Sequence, residues 1–121
     1  MRPEEFYLRD IILACEAANR FVSDITQEFF ESSDLYRSAV LFKLMIVGEA
    51  SSRISKPLKS RYPDVDWQSI SGFRNIIAHE YFSLDLDVVW ETARAESLIL
   101  VQQVRSILRS EYPDFPLLDS Q

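Results

Sequence analysis

The chain has 121 residues, of which 47% are hydrophobic and 26% charged, and carries a net charge of −6. That is enough apolar material for one globular domain and too much for a disordered chain. Two glycines and five prolines are too few turn formers for a β-sandwich, a Rossmann unit or a glycine-rich phosphate loop, so an all-α chain is expected.

In chain order, Pro3 with Glu4 and Glu5 opens a helix. Leu8, Ile11, Cys15, Ala18, Val22, Ile25 and Phe29 recur at alternating three and four residues, which predicts one helix from about 4 to about 31, roughly 40 Å long. Ser32, Ser33 and Asp34 cap a second helix carrying Val40, Leu41, Leu44, Met45, Val47 and Ile54. Gly48 and Ser51 lie on its Leu41–Leu44 side, as expected where another backbone comes close. Pro57 ends that helix or begins a short turn, and Tyr62-Pro63-Asp64 breaks the chain again.

Asp66 caps a third helix that begins at Trp67 and fades near Phe82. Ser83 or Asp85 starts a fourth, marked by Leu86, Val89, Ala93, Leu100, Val104 and Ile107 and ending near Ser110. A tail from about 111 to 121, with Pro113 and Pro116, is expected to be docked or frayed. Four helices with short connections predict an antiparallel, up-down four-helix bundle with a short C-terminal extension, in a single domain spanning 1–121.

One Cys and one His exclude an internal disulfide, a thiolate cluster and the usual multi-histidine metal sites, so no metal and no cofactor is expected. No apolar run approaches the ~18–20 residues that span a bilayer. The opening MRPEEFYLRD places acids where a secretory leader needs basic and then apolar residues, and a cytoplasmic location is expected. The acidic balance disfavours general nucleic-acid binding, so such a role needs a local cluster. Arg53, Lys56, Lys59 and Arg61, with no acid between 50 and 63, are the candidate for RNA or partner contact; a solvated helix end is the plainer reading.

The third helix carries the chemistry. At ~100° per residue, Ile70, Phe73, Ile77 and Tyr81 share a core face, while Ser71, Asn75, Ala78, His79 and Phe82 lie opposite and Arg74 at the edge. Arg74 and His79 are ~140° apart and flank a strip floored by the small Ser71 and Ala78. An imidazole that titrates near neutral pH can take a proton from a hydroxyl, and a guanidinium grips phosphate and stabilises charge building on it. The pair suffices for metal-free RNA cleavage, in which the ribose 2′-hydroxyl attacks its own phosphodiester. One His does not readily serve as both acid and base; two strips in a dimer could. From spacing alone, a lone helical His is more often solvated, Arg74 more often a surface ion pair, Tyr81 more often packing, and Glu49 with Arg53 a helix salt bridge.

In these residues the chain resembles the HepT family of HEPN-fold proteins. The resemblance runs from Tyr36 and Val40 through Leu44-Met45-Ile46-Val47-Gly48-Glu49-Ala50 to Tyr62-Pro63 and Trp67, then Gly72-Phe73-Arg74-Asn75-Ile76-Ile77-Ala78-His79-Glu80-Tyr81-Phe82, Asp85, Val88 and Trp90. It implies a HEPN-like bundle that homodimerises, and a metal-independent RNA endonuclease acting as the toxin of a HepT/MntA-type (type VII) toxin–antitoxin system. Carried over by position, Arg74 and His79 are catalytic at a dimer cleft, and Asn75 helps position the phosphate. Tyr81 is the residue that an MntA-type nucleotidyltransferase antitoxin adenylylates to silence the toxin. Modification needs an exposed Tyr81, which favours a helix ending before it. The alternative is a non-catalytic helical binding module for a nucleotidyltransferase partner or a nucleotide.

Overall fold

A computed structural model of the chain describes residues 2–116. Seven α-helices are present among them: α1 (Glu4–Val22), α2 (Gln27–Ser32), α3 (Asp34–Ser52), α4 (Lys56–Arg61), α5 (Trp67–His79), α6 (Leu86–Glu91) and α7 (Ser97–Glu111). A 3-10 turn covers Tyr81–Ser83, and a π turn, Thr92–Glu96, joins α6 to α7 without a break. The described residues contain no strand, so the all-α expectation holds. α3 packs against both α1 and α5, and α1 against α7. No helix among the described residues is long and apolar enough to cross a membrane.

The single helix expected over 4–31 is two helices. Ser23 turns its hydroxyl back onto the Arg20 carbonyl at 2.9 Å, and Thr26 Oγ1 accepts the Phe29 amide at 3.1 Å. Short polar side chains here offer the backbone partners that compete with the helical ladder. The interruption changes the helical phase. Leu8, Ile11, Cys15, Ala18 and Val22 are buried as the stripe predicts, but beyond the break Phe30 takes the core position and Phe29 faces outward.

The remaining boundaries follow their caps. Ser33 accepts the Tyr36 amide at 3.2 Å, Ser55 the Leu58 amide at 3.3 Å, and Asp66 the Ser69 amide at 3.2 Å. Asp85, rather than Ser83, caps α6 through the Asp87 and Val88 amides. Pro57 sits in the first turn of α4, where its missing N–H costs nothing. The π turn leaves carbonyls out of the regular ladder, and Asn19 on α1 supplies their donors, reaching Ala93 O at 3.1 Å and Arg94 O at 2.9 Å. The described part of the tail docks: Phe115 meets Phe6 edge-on at 5.3 Å. Residues 117–121 of that tail lie outside the described residues.

The core has two lobes. Leu8, Ile11, Ile12, Val47, Leu58, Val104, Ile107 and Leu108 fill one. Ala18, Val22, Phe30, Val40, Leu41, Ile77, Val89 and Trp90 fill the other. Cys15 belongs to the first lobe, and burial pushes its thiol up from 9.0 to about 12. The folded chain thus holds the proton more tightly than the unfolded one. This contribution to stability is complete below pH 9 and is lost as pH rises from 9 towards about 12. The loss of Tm on alkaline titration is expected to be smaller in Cys15→Ala than in the parent. Equal losses would show that the thiol does not contribute.

Candidate active site

Helix α5 positions the candidate residues. It buries only Trp67 and Ile77 fully, whereas α1 buries eight side chains. Ile70 and Phe73 pack at the edges of the two core lobes, so the rest of α5 is free for other work. Asn75, Ala78 and His79 are exposed, and Arg74 is half-buried against α3.

Gly48 makes that approach possible. A Cβ built on it would collide with Arg74 Cβ and stand 3.3 Å from the Ile70 carbonyl. The small residue expected at a helix crossing is therefore beneath the candidate arginine itself. At the crossing Arg74 Nη1 donates to Glu49 Oε1, and Arg74 Nη2 donates to Asn75 Oδ1 at 3.0 Å. Glu49 Oε2 accepts Arg53 Nε at 3.0 Å one turn along α3. The hydrogen bonds from Arg53 and Arg74 hold the Glu49 carboxyl below its ordinary range.

His79 is the last residue of α5. The helix stops there and does not run on to Phe82, because Glu80 leaves the helical region at φ −129°, ψ 35°. This break decides the fate of Tyr81. It sits in the 3-10 turn, 41% exposed, and not on the core face that an unbroken helix would give it. Its ring meets that of Phe82 edge-on at 5.4 Å, and Phe82 is fully exposed.

The basic cluster does not form one open strip. Arg61 pairs with Glu111 at 2.7 Å, Arg53 pairs with Glu49, and Lys59 lies 5.9 Å above the Trp67 ring. Burial lowers the pKa of Lys59. Lys56 is exposed at the start of α4. The acids missing between 50 and 63 come from just before the segment and from the end of α7. The link from Glu49 to Arg74 was the feature that sequence reasoning missed. Gly48, marking a helix crossing beside an acid, was the available signal.

A family model described as "Ribonuclease HepT-like" matches residues 11–113, covering both helices of the crossing and all of α5. The chain belongs to the HepT-like ribonuclease family. Membership makes it an endoribonuclease by class and agrees with the resemblance in the α3 and α5 segments. Among HepT-like relatives, "Putative RNase TTE0752" of Caldanaerobacter subterraneus subsp. tengcongensis is 32% identical over 92% of this chain and 99% of its own. "Probable ribonuclease HepT" of Thermococcus cleftensis is 33% identical over 78% of this chain and 86% of its own. "Putative RNase MJ1380" of Methanocaldococcus jannaschii is 32% identical over 78% and 87% respectively. No solved structure matches the chain.

Proposed function

We propose that this chain is a metal-independent RNA endonuclease in which Arg74 and His79 act at the cleft of a homodimer on an antiparallel, HEPN-like four-helix domain. The observation that carries the reading is the pairing of an anchored guanidinium with an open imidazole on one helix. Arg74 is tied into the α3–α5 crossing, whereas His79 ends α5 in the open. His79 takes the proton from the ribose 2′-hydroxyl. The oxygen attacks the adjacent phosphorus, and Arg74 stabilises the charge that gathers on the phosphoryl oxygens. The 5′-oxygen leaves and takes a proton from the second His79 of the dimer. The ends are a 2′,3′-cyclic phosphate and a 5′-hydroxyl. Asn75, bonded to Arg74, orients it toward the phosphate.

The surface of α5 supports the dimer. A largely apolar groove of about 680 Å³ runs between α5 and the α6–α7 segment, with Gly72, Phe73, Ile76, Val88, Ile99 and Leu100 in its wall. Ile76, Val88 and Ile99 are exposed, Ile99 to 61%. Ile76 precedes His79 by three residues, so an apolar partner on the groove borders the imidazole. Light scattering is expected to give about twice the 14.1 kDa of one chain, and cleavage to persist in excess EDTA. A 14.1 kDa species that cleaves at full rate, or cleavage abolished by EDTA and restored by magnesium, contradicts the reading.

In the cell the protein acts as the toxin of a HepT/MntA-type pair in the cytoplasm. Exposure of Tyr81 beside the site supports its control by a nucleotidyltransferase. The Tyr81 hydroxyl attacks the α-phosphorus of ATP, pyrophosphate leaves, and the attached AMP competes for Arg74 and fills the cleft. A second reading, a non-catalytic module holding a nucleotide or the nucleotidyltransferase, draws on the prior engagement of Arg74 by Glu49 and Asn75. It requires the purified chain to cleave no RNA while still binding the nucleotide or the nucleotidyltransferase.

A further inference from the structure

The guanidinium assigned to the scissile phosphate is already gripped from two sides. Glu49 holds Nη1 from α3, and Asn75 holds Nη2 from α5 itself. A guanidinium has five N–H donors, so an incoming anion can still be met by the remaining ones. Glu49 is in turn shared. Its second oxygen faces Arg53, with Nε and Nη2 both 3.0 Å away. One carboxylate thus bridges two arginines, at the point where Gly48 lets α5 sit directly on α3. All three groups are partly open to solvent, with side-chain exposures of 36% for Arg74, 42% for Glu49 and 55% for Arg53.

We propose that Glu49 is a positioning residue for Arg74 in the cleavage reaction, and that Arg53 is the counter-charge that keeps Glu49 from repelling the RNA. This rests on the assignment of Arg74 to the phosphate. A long, flexible side chain stabilises a transition state only if its fork is aimed beforehand. Glu49 fixes the α3-side edge of that fork and Asn75 the other. The same carboxylate carries a negative charge next to the place a phosphate must occupy, which opposes substrate binding. Arg53 offsets that charge without touching Arg74. The basic residue that looked like an RNA contact in the sequence thus serves RNA binding indirectly.

The arrangement separates turnover from binding. Glu49→Ala removes both the aim and the repulsion, so kcat falls on the order of 10–100-fold while KM stays level or drops. Glu49→Gln keeps an oxygen for Arg74 but removes the charge, so KM drops several-fold and most of kcat returns. Arg53→Met leaves Glu49 unbalanced, so KM rises at nearly constant kcat. A purely structural i, i+4 salt bridge predicts small changes in Tm and parental kinetics for all three variants. The test is steady-state cleavage of a fluorogenic RNA by the parent, these variants and Arg74→Ala, with thermal melts of each. Opposite KM shifts in Glu49→Gln and Arg53→Met, with the kcat loss in Glu49→Ala, support the proposal. If Glu49→Ala does not fold, the two KM shifts decide. Parental kinetics in the Glu49 variants, with Arg74→Ala inactive, overturn the proposal alone. Full activity of Arg74→Ala overturns it together with the reading it rests on.

Discussion

Alanine in place of His79 is expected to lower RNA cleavage by about 10²–10⁴-fold, the usual worth of a general base, with no loss of helical circular dichroism or Tm. The two halves of that expectation have separate causes. His79 is exposed at the end of α5 and belongs to neither lobe of the core, so its removal leaves no cavity. Its loss removes the only imidazole in the chain. Arg74→Lys is the matching experiment on the other partner. The charge remains, but the planar fork that meets two phosphate oxygens at once is gone. A loss on the order of 10²–10³ is expected, as for removal of one transition-state donor. Cleavage by His79→Ala at the parental rate, in preparations freed of contaminating nuclease, would show that His79 is not the base and would contradict the assignment.

Gly48→Ala is expected to destabilise the fold and to impair cleavage more than the stability loss explains. Two effects oppose each other here. Alanine gains about 1 kcal/mol over glycine in a helix interior. Overpacking costs about 1–3 kcal/mol, and at Gly48 the obstacle cannot rotate aside, because Arg74 Cβ is fixed to the backbone of α5 and the Ile70 carbonyl lies behind it. Relief requires α5 to move off α3, which pulls Arg74 from Glu49 and displaces the guanidinium. Gly72→Ala supplies the contrast on the same helix pair. Nothing lies within 4 Å of a Cβ built there, so the helix-propensity gain is unopposed within the chain and Tm should rise. Thermal melts and cleavage assays of both variants check the pair. A Gly48→Ala protein as stable and as active as the parent would show that the crossing has slack.

Much of this architecture is legible in the sequence because helix periodicity and capping are local. The Asp66 and Ser33 starts, the Asp85 cap and the face from Val89 through Ile107 all follow from neighbours within one or two turns. The break after Val22 was harder. A regular apolar stripe continued across it, while Ser23 and Thr26 diverted the backbone hydrogen bonds. Periodicity alone therefore put Phe29 inward where the fold puts Phe30. The end of α5 at His79 had no Gly or Pro to announce it, yet it moves Tyr81 from a core face to the surface. At the candidate site, Arg74 and His79 were visible as a spaced pair with a phosphate-and-proton chemistry. The Glu49–Arg74 bond joins residues 25 apart, and the Arg61–Glu111 pair joins residues 50 apart. No local pattern reports contacts of that kind, which is why the basic run from 53 to 61 looked more open than the fold leaves it.

The chemistry assigned to Arg74 and His79 is tested most directly by the ends it leaves on RNA. Cleavage of a defined oligoribonucleotide in EDTA, followed by mass spectrometry of the fragments, should reveal a 2′,3′-cyclic phosphate on one piece and a 5′-hydroxyl on the other. A single 2′-deoxy substitution at the cut site should stop the reaction. Fragments ending in 3′-hydroxyl and 5′-phosphate, or equal cutting of the deoxy-substituted strand, would mean that water rather than the ribose attacks, and would contradict the account.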